Sequence, residues 1–272
     1  MAIEEYSRLN TSERVGVTTV TLNRPEVRNA FDEILIAELT DCVARAEERR
    51  SRALVLRGAG PSFCAGADLN WMARAANYTY EENLEDARAL QRLFAALSHF
   101  RGVTIAAVHG AAIGGGAGLV AVCDIAIAEA GATFALSEVR LGLIPAVIGP
   151  YVLQKVGLGA ARSLFVTGER FDADKALRIG LVHQVAQSSE QLAQLVDVAL
   201  GRILEAGPEA IATAKQLLRD IAGRSPDEVA ERTASCIANL RVSAEGQEGI
   251  HAFLEKRKPS FAVFDDPKQT SK

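Results

Sequence analysis

The sequence predicts an α/β fold in which a β-rich α/β core is followed by an all-helical C-terminal region. Short β-branched or apolar segments alternate with amphipathic helical segments through the first two thirds of the chain. From about residue 188 only helical patterns follow. The 272 residues, 49% of them hydrophobic, suffice for one compact α/β unit with an appendage. We therefore expect a core over residues 1–190 and a helical region over residues 191–272.

Strand and helix signals alternate in the first part of the chain. Residues 16–22, GVTTVTL, are rich in β-branched residues and predict a strand. Asp32 is placed to cap a helix with Ile34 on its apolar face, and Thr79 with Glu82 has the pattern of a capping box. Further short apolar runs predict strands at residues 53–56, 103–108 and 132–136.

Residues 102–123 carry no charge and are long enough to suggest a membrane span. Six of these 22 residues are glycine, and they separate a β-like piece, VTIAAVH, from a helix-like piece, GLVAVCD. A strand, a turn and a buried helix are therefore the simpler interpretation.

The C-terminal region contains several helical segments, and Gly207-Pro208 ends the first of them. These segments have apolar stripes but span only roughly 80 residues. We expect them to pack on the core or on another subunit.

Composition excludes several classes of protein. A net charge of −4 and a pI near 5.7 disfavour binding to nucleic acid, which needs a basic patch. The four cysteines form no CxxC pair, so the sequence indicates neither a zinc site nor a disulfide framework. The first residues, MAIEEYSRLN, lack the basic and apolar regions of a signal peptide, which predicts a cytoplasmic protein.

Two glycine-rich loops are the candidates for chemistry: GAGPSFCAGADL at residues 58–69 and GAAIGGGAGL at residues 110–119. Each follows a short apolar strand and leads into a helix. A helix N-terminus has unpaired N–H groups and a partial positive charge, and glycine allows a substrate atom to approach them. Two such N-termini together would form an oxyanion hole, worth about 3–4 kcal/mol per donor in the transition state.

Each loop taken singly is also explained as a tight strand-to-helix turn. The second loop has neither the GxxxxGK[ST] nor the GxGxxG spacing, which disfavours a nucleotide-phosphate site.

Five segments occur in order along nearly the whole chain: FCAGADL (63–69), GAAIGGGAGLVAVCDIAIA (110–128), FALSEVRLGLIP (134–145), TGERFDADKALRIGLVHQV (167–185) and FLEKRKPSF (253–261). Together they resemble the crotonase, or enoyl-CoA hydratase/isomerase, superfamily. The resemblance implies a spiral of ββα units, a C-terminal helical region used in trimerisation, and chemistry on acyl-CoA thioesters. It implies homotrimers or hexamers, no metal, and no cofactor besides the coenzyme A of the substrate.

The resemblance also assigns site residues. The two N–H donors of the oxyanion hole fall on Ala67, which follows AG in FCAGAD, and on Gly115, the middle glycine of the triplet. Contacts with coenzyme A fall on Arg24, Arg28, Ala65, Asp68, Leu69, Asn70, Lys256 and Phe261.

Only one of the two expected carboxylates is present. In the two-glutamate hydratases of this family one glutamate lies two residues after the glycine triplet, and that position is Gly118. The second glutamate falls on Glu138. Its neighbours Leu136 and Val139 would raise its pKa and suit it to proton transfer. From the local sequence it could equally face water or pair with Arg140.

A single carboxylate fits two reactions. An isomerase that moves a double bond from the 3 to the 2 position needs only one base, and on mechanism alone the missing glutamate favours it. In a hydratase Glu138 would both deliver a proton and orient the water, with help from another polar group. LSEVRLGLIPAVIGPYV, GADLNWM, ENLEDAR and RVSAEGQEG resemble the bacterial hydratases of leucine and acyclic-terpenoid breakdown, which act on 3-methylglutaconyl-CoA or longer counterparts. A hydratase is therefore the leading interpretation. A non-catalytic protein that binds CoA thioesters is the alternative from another class.

Four other residues are candidates for contacts with the substrate's acyl group. Arg140 or Arg74 would face the second carboxylate of such a substrate. Trp71 and Met72 follow the first loop and line either the acyl pocket or the ordinary core.

Overall fold

Two β-sheets share the nine strands of the computed structural model, which describes residues 6–263. The larger sheet has the order β1-β2-β3-β4-β6-β9, and the smaller sheet has the order β5-β7-β8. Only the β1–β2 and β7–β8 pairs are antiparallel. The strands are β1 (Leu9–Arg14), β2 (Val17–Leu22), β3 (Ala53–Gly58), β4 (Val103–Val108), β5 (Ala111–Ile113), β6 (Ile125–Glu129), β7 (Thr133–Ala135), β8 (Arg170–Asp172) and β9 (Gln184–Ala186).

The helices are α1 (Glu33–Glu48), α2 (Leu69–Ala75), α3 (Tyr80–His99), α4 (Gly115–Val122), α5 (Gly149–Thr167), α6 (Ala173–Arg178), α7 (Ser189–Glu205), α8 (Pro208–Ile221), α9 (Pro226–Val242) and α10 (Ala244–Leu254). Short 3₁₀ helices span Pro25–Val27 and Ser137–Leu141. No helix within residues 6–263 is long and apolar enough to cross a membrane.

A repeated path of the chain links the two sheets. After β4 in the larger sheet the chain adds β5 to the smaller sheet and then forms α4. After β6 it adds β7 to the smaller sheet and then forms the second 3₁₀ helix and α5. The loop after β3 makes isolated parallel bridges, Cys64 with Ala112 and Ala67 with Phe31, before α2 begins. The predicted spiral of ββα units is therefore confirmed.

Contacts between residues divide the chain into a first compact unit that ends at Asp197 and a second that begins at Val198. The first unit contains both sheets and a core whose largest fully buried side chains include Phe31, Phe63 and Phe94. The second unit contains the end of α7 and α8–α10. The sequence predicts a domain boundary after residue 190, which lies inside α7. That boundary stays a prediction.

Several local expectations are confirmed. The Asp32 carboxylate caps α1 by accepting from the Leu35 N–H at 2.8 Å, and Thr79 with Glu82 forms the capping box of α3. Residues 102–123 form β4, β5 and the buried helix α4. Ile34, expected on the apolar face of α1, is 42% exposed, because the inward face of this helix begins one residue later.

Candidate active site

The two glycine-rich loops lie side by side. The Cys64 N–H donates to the Ala111 carbonyl at 2.9 Å, and the Ile113 N–H donates to the Cys64 carbonyl at 3.0 Å. The loop that carries Ala67 is thereby paired with β5, the strand that leads directly into α4. The approach is close enough that a Cβ atom on Gly66 would lie 3.1 Å from the Ile113 carbonyl oxygen.

Two backbone N–H groups at this junction have no protein acceptor. Within residues 6–263 neither the Ala67 N–H nor the Gly115 N–H makes a hydrogen bond. Gly115 is the first residue of α4, where the helix geometry leaves the N–H without a partner, and Ala67 is exposed. Both groups remain available to an oxygen atom of a ligand.

Glu138 lies beside the glycine triplet. Its 3₁₀ helix follows β7 directly, and the Ala135 carbonyl at the end of β7 accepts from the Gly114 N–H at 2.8 Å. Glu138 Oε1 is 3.1 Å from the position that a Cβ atom on Gly114 would take. Gly114 itself has φ 53° and ψ −119°, a conformation that favours glycine. The structure thus brings the carboxyl group to the N-terminus of α4.

The Glu138 carboxyl group is poorly solvated. Its Oε2 atom is buried and has no hydrogen-bond partner within the described residues. Burial raises the pKa of Glu138, and the hydrogen bond from its own N–H opposes the rise only in part. A raised pKa brings a carboxyl group closer to the range in which it can both give and accept a proton near neutral pH.

The pairing of Glu138 with Arg140, left open by the sequence, is not present among residues 6–263. Arg140 is exposed, and its Cγ lies 3.4 Å from the Cβ position of Gly168, at the end of α5. Arg74, the other candidate for a second substrate carboxylate, donates to both oxygens of Glu33 at 2.6 and 2.7 Å.

Apolar side chains fill the position of the missing glutamate. A Cβ atom on Gly118 would lie 2.4 Å from Cγ2 of Ile148 and 3.0 Å from Cε1 of Phe94. Tyr151 stacks on Phe94 with ring centroids 5.6 Å apart, and burial raises the pKa of Tyr151. The side chains of Ile148 and Phe94 therefore form an apolar wall at Gly118, with which a side chain at this position would clash.

The predicted coenzyme A residues of the first unit fall into two groups. Arg28, Leu69 and Asn70 are exposed, and Ala65 is half-buried. Ala65, Leu69 and Asn70 lie in the sequence next to the loop of Ala67, and the Arg28 carbonyl accepts a hydrogen bond from the Ala65 N–H. The side chains of Arg24 and Asp68 are buried and are paired with each other at 2.9 Å. Contact of these residues with coenzyme A stays a prediction.

The two predicted coenzyme A residues of the C-terminal region belong to the second unit. Lys256 follows α10 with φ 56° and is exposed. Phe261 is half-buried, with its Cζ 3.5 Å from the Cβ position of Gly249. Their contact with coenzyme A also stays a prediction.

Trp71 is buried and donates from Nε1 to Asp86 at 3.2 Å, and Met72 is half-buried.

Phe31, which sequence reasoning did not single out, proves central to the site. The Phe31 N–H donates to the Gly66 carbonyl at 2.7 Å, and its carbonyl accepts from the Asp68 N–H at 2.8 Å. A buried phenylalanine carries no signal in the sequence that separates it from the rest of the core.

Two N–H donors that have no partner among the described residues lie near one carboxyl group of raised pKa, an arrangement that suits stabilisation of an oxyanion together with proton transfer. A sequence model described as enoyl-CoA hydratase/isomerase matches residues 12–263. The chain therefore belongs to the enoyl-CoA hydratase/isomerase family and is an enzyme of that family, as its motifs predicted.

Relatives and solved structures agree with this assignment. The chain is 41% identical to an enoyl-CoA hydratase from Shewanella pealeana, with a TM-score of 0.91 and coverage of 94% of this chain and 97% of that one. It is 33% identical to a crotonyl-CoA hydratase from Syntrophomonas wolfei, over 94% of this chain and 98% of that protein. It is 34% identical to a 2,3-dehydroadipyl-CoA hydratase from Escherichia coli, over 94% and 98%.

The packing around Gly118 predicts that a restored glutamate will be harmful. Gly118→Glu should lower the free energy of unfolding by at least about 2 kcal/mol, because it overpacks the core and buries a charge. It should not raise the rate of enoyl-thioester hydration. Chemical denaturation and an activity assay measure the two effects. Gly131→Glu is the control, since no atom lies within 4 Å of the Cβ position of Gly131. A stable or faster Gly118→Glu enzyme would contradict the prediction.

The raised pKa of Glu138 predicts a pH-dependent gain in stability for Glu138→Gln. In the unfolded chain a glutamate titrates near pH 4.3, and burial raises the folded pKa above this value. Ionisation therefore destabilises the folded wild type progressively as the pH rises from the unfolded pKa through the folded one. The stability difference should be smallest near pH 4 and grow toward pH 8, as measured by denaturant unfolding. Glu205→Gln, at the exposed end of α7, is the control. A pH-independent difference would refute the prediction.

Proposed function

We propose that this enzyme adds water to 2-enoyl-CoA thioesters, and that its substrate is 3-methylglutaconyl-CoA or a related branched enoyl-CoA. The observation that carries the proposal is the Glu138 carboxyl group at the N-terminus of α4, with its Oε2 atom buried, close to the free N–H of Gly115. The names of the relatives support hydration as the reaction. The branched substrate rests on the motif resemblance.

The proposed mechanism uses three groups of this chain. The N–H groups of Ala67 and Gly115 hold the thioester oxygen. Glu138 as a carboxylate takes a proton from water while the water oxygen bonds to C3, and the C2–C3 π electrons move onto the thioester oxygen as an enolate. Glu138 then returns the proton to C2, which restores the carbonyl and the carboxylate. A residue of raised pKa suits both steps.

The acyl group of the substrate is proposed from two relatives and from the surroundings of Arg140. The two hydratases named above act, by their names, on a simple enoyl group and on one with a second carboxylate. We propose Arg140 for recognition of such a carboxylate, because it is exposed and has no ion pair among the described residues, whereas Arg74 is engaged by Glu33.

Isomerisation of a 3-enoyl to a 2-enoyl thioester is the second candidate. The apolar wall at Gly118 favours it, since this reaction needs one base and no bound water. Glu138 would remove a proton from C2 and return it at C4.

We also propose a homotrimer or a hexamer in the cytoplasm. The exposed apolar residues Val242, Phe253 and Leu254 of the second unit support an assembly, with relative exposures of 78%, 83% and 69%.

Glu138→Gln should lower kcat for hydration by at least about 100-fold, because it removes the carboxyl group beside the glycine triplet that transfers the proton in the proposed mechanism. The assay follows the loss of ultraviolet absorbance of the conjugated enoyl thioester with 3-methylglutaconyl-CoA and crotonyl-CoA. Glu169→Gln, in an ion pair with Lys175, is the control. No turnover of either thioester by wild type, with appearance of the conjugated band from a 3-enoyl-CoA, would favour the isomerase. An active Glu138→Gln enzyme would overturn the assignment of Glu138.

Arg140→Ala should reduce the preference for a dicarboxylic substrate. The ratio of kcat/KM for 3-methylglutaconyl-CoA to that for crotonyl-CoA is expected to fall about tenfold, as for loss of one charge-assisted hydrogen bond. Arg74→Ala is the matched control and should leave the ratio unchanged. An unaltered ratio in Arg140→Ala would exclude this role.

A further inference from the structure

A buried ion triad lies beneath the loop of Ala67. Arg24, Asp32 and Asp68 have relative exposures of 7%, 5% and 5%. One guanidinium nitrogen, Nη2, is 2.9 Å from Asp68 Oδ2 and 3.1 Å from Asp32 Oδ2, and the other, Nη1, donates to the Ala30 carbonyl at 2.6 Å. Burial alone would raise the pKa of Asp68, but hydrogen bonds from Trp71, Arg24 and Asn70 lower it overall. Asp68 therefore meets the Arg24 guanidinium as a carboxylate.

Asp68 connects this triad to the first N–H donor. It follows Ala67 directly, and its Oδ1 caps α2 by accepting from the N–H groups of Asn70 and Trp71 at 2.8 and 3.1 Å. Phe31 binds the backbone of both neighbours of Ala67, the Gly66 carbonyl and the Asp68 N–H. The residues on either side of Ala67 are thus fixed, and its own N–H is left free.

The same segment reaches the second donor. A Cβ atom on Gly115 would lie 2.8 Å from Cε2 and 2.9 Å from Cδ2 of Phe31, so the phenyl ring rests directly on the first residue of α4. Phe31 lies between Ala30, which Arg24 binds through its carbonyl, and Asp32, which Arg24 binds through its carboxylate. Arg24 therefore holds the segment 30–32, which contacts Gly115 and both neighbours of Ala67.

We infer that Arg24 is a positioning residue for the oxyanion hole, which keeps the Ala67 N–H aligned with the Gly115 N–H through Asp68 and the segment 30–32. The inference rests on the proposed function. It assigns the inward-facing guanidinium a role in the rate of the chemical step, in place of the coenzyme A contact expected from the sequence.

Kinetics of the Arg24→Met variant distinguish a positioning role from a coenzyme A contact. The variant is assayed with two thioesters of the same acyl group, one of CoA and one of N-acetylcysteamine, which lacks the nucleotide. A positioning role predicts that kcat falls about tenfold or more with both thioesters while KM changes little. A coenzyme A contact predicts a higher KM for the CoA thioester alone, and that result would overturn the inference.

A second readout does not depend on turnover. Bound 4-(dimethylamino)cinnamoyl-CoA absorbs at longer wavelength when its thioester carbonyl is polarised, so the shift reports alignment of the two donors. We expect a red shift with wild type and a clearly smaller one with Arg24→Met. An unchanged shift in Arg24→Met would refute positioning and leave the proposed function intact. No shift and no turnover with wild type would refute the proposed function itself.

Two further variants guard against a general loss of structure. Arg8→Gln removes another arginine near Asp32, at 3.4 Å, and should retain both kcat and the red shift. Asp68→Asn keeps an oxygen that can cap α2 but loses the charge that binds Arg24, and it should reduce kcat and the red shift as Arg24→Met does. If Asp68→Asn folds and matches wild type in both readouts, the triad has no positioning role.

Discussion

The approach of the Cys64 carbonyl to the first turn of α4 is the contact on which the site depends. A Cβ atom on Gly116 would lie 2.2 Å from the Cys64 oxygen, so no side chain fits between the two loops. This closeness places the loop of Ala67 along β5 and next to the start of α4. The N–H groups of Ala67 and Gly115, from separate turns of the spiral, then lie in one region, and both belong to the backbone.

Two influences on the pKa of the Glu138 carboxyl group oppose each other. Burial of Oε2 without a hydrogen-bond partner among the described residues raises the pKa of Glu138, whereas the hydrogen bond from its own N–H lowers it, and the net effect is a raised pKa. The apolar wall of Ile148 and Phe94 keeps any second acid away from this carboxyl group. Under the proposed mechanism, stability is lost at the residue that transfers the proton, a common compromise in enzymes.

Local chemistry made much of the fold predictable. The caps at Asp32 and Thr79, the strand β4 and the buried helix α4 all have signals within a few residues. The strands β5 and β8 have three residues each, too few for a period to be recognised. Placement of Glu138 in a 3₁₀ helix, beside the glycine triplet and apart from Arg140, depends on contacts that no local pattern encodes.

The sequence by itself determined the alternation of strands and helices, the glycines at the two turns and the absence of a carboxylate at residue 118, because these follow from residue types and short spacings. Only the tertiary structure decided that apolar side chains fill the space at Gly118 and that Arg24 turns inward to Asp68, 44 residues away. Both outcomes depend on which distant segments the spiral brings into contact, and that choice is made by the packing of the whole core.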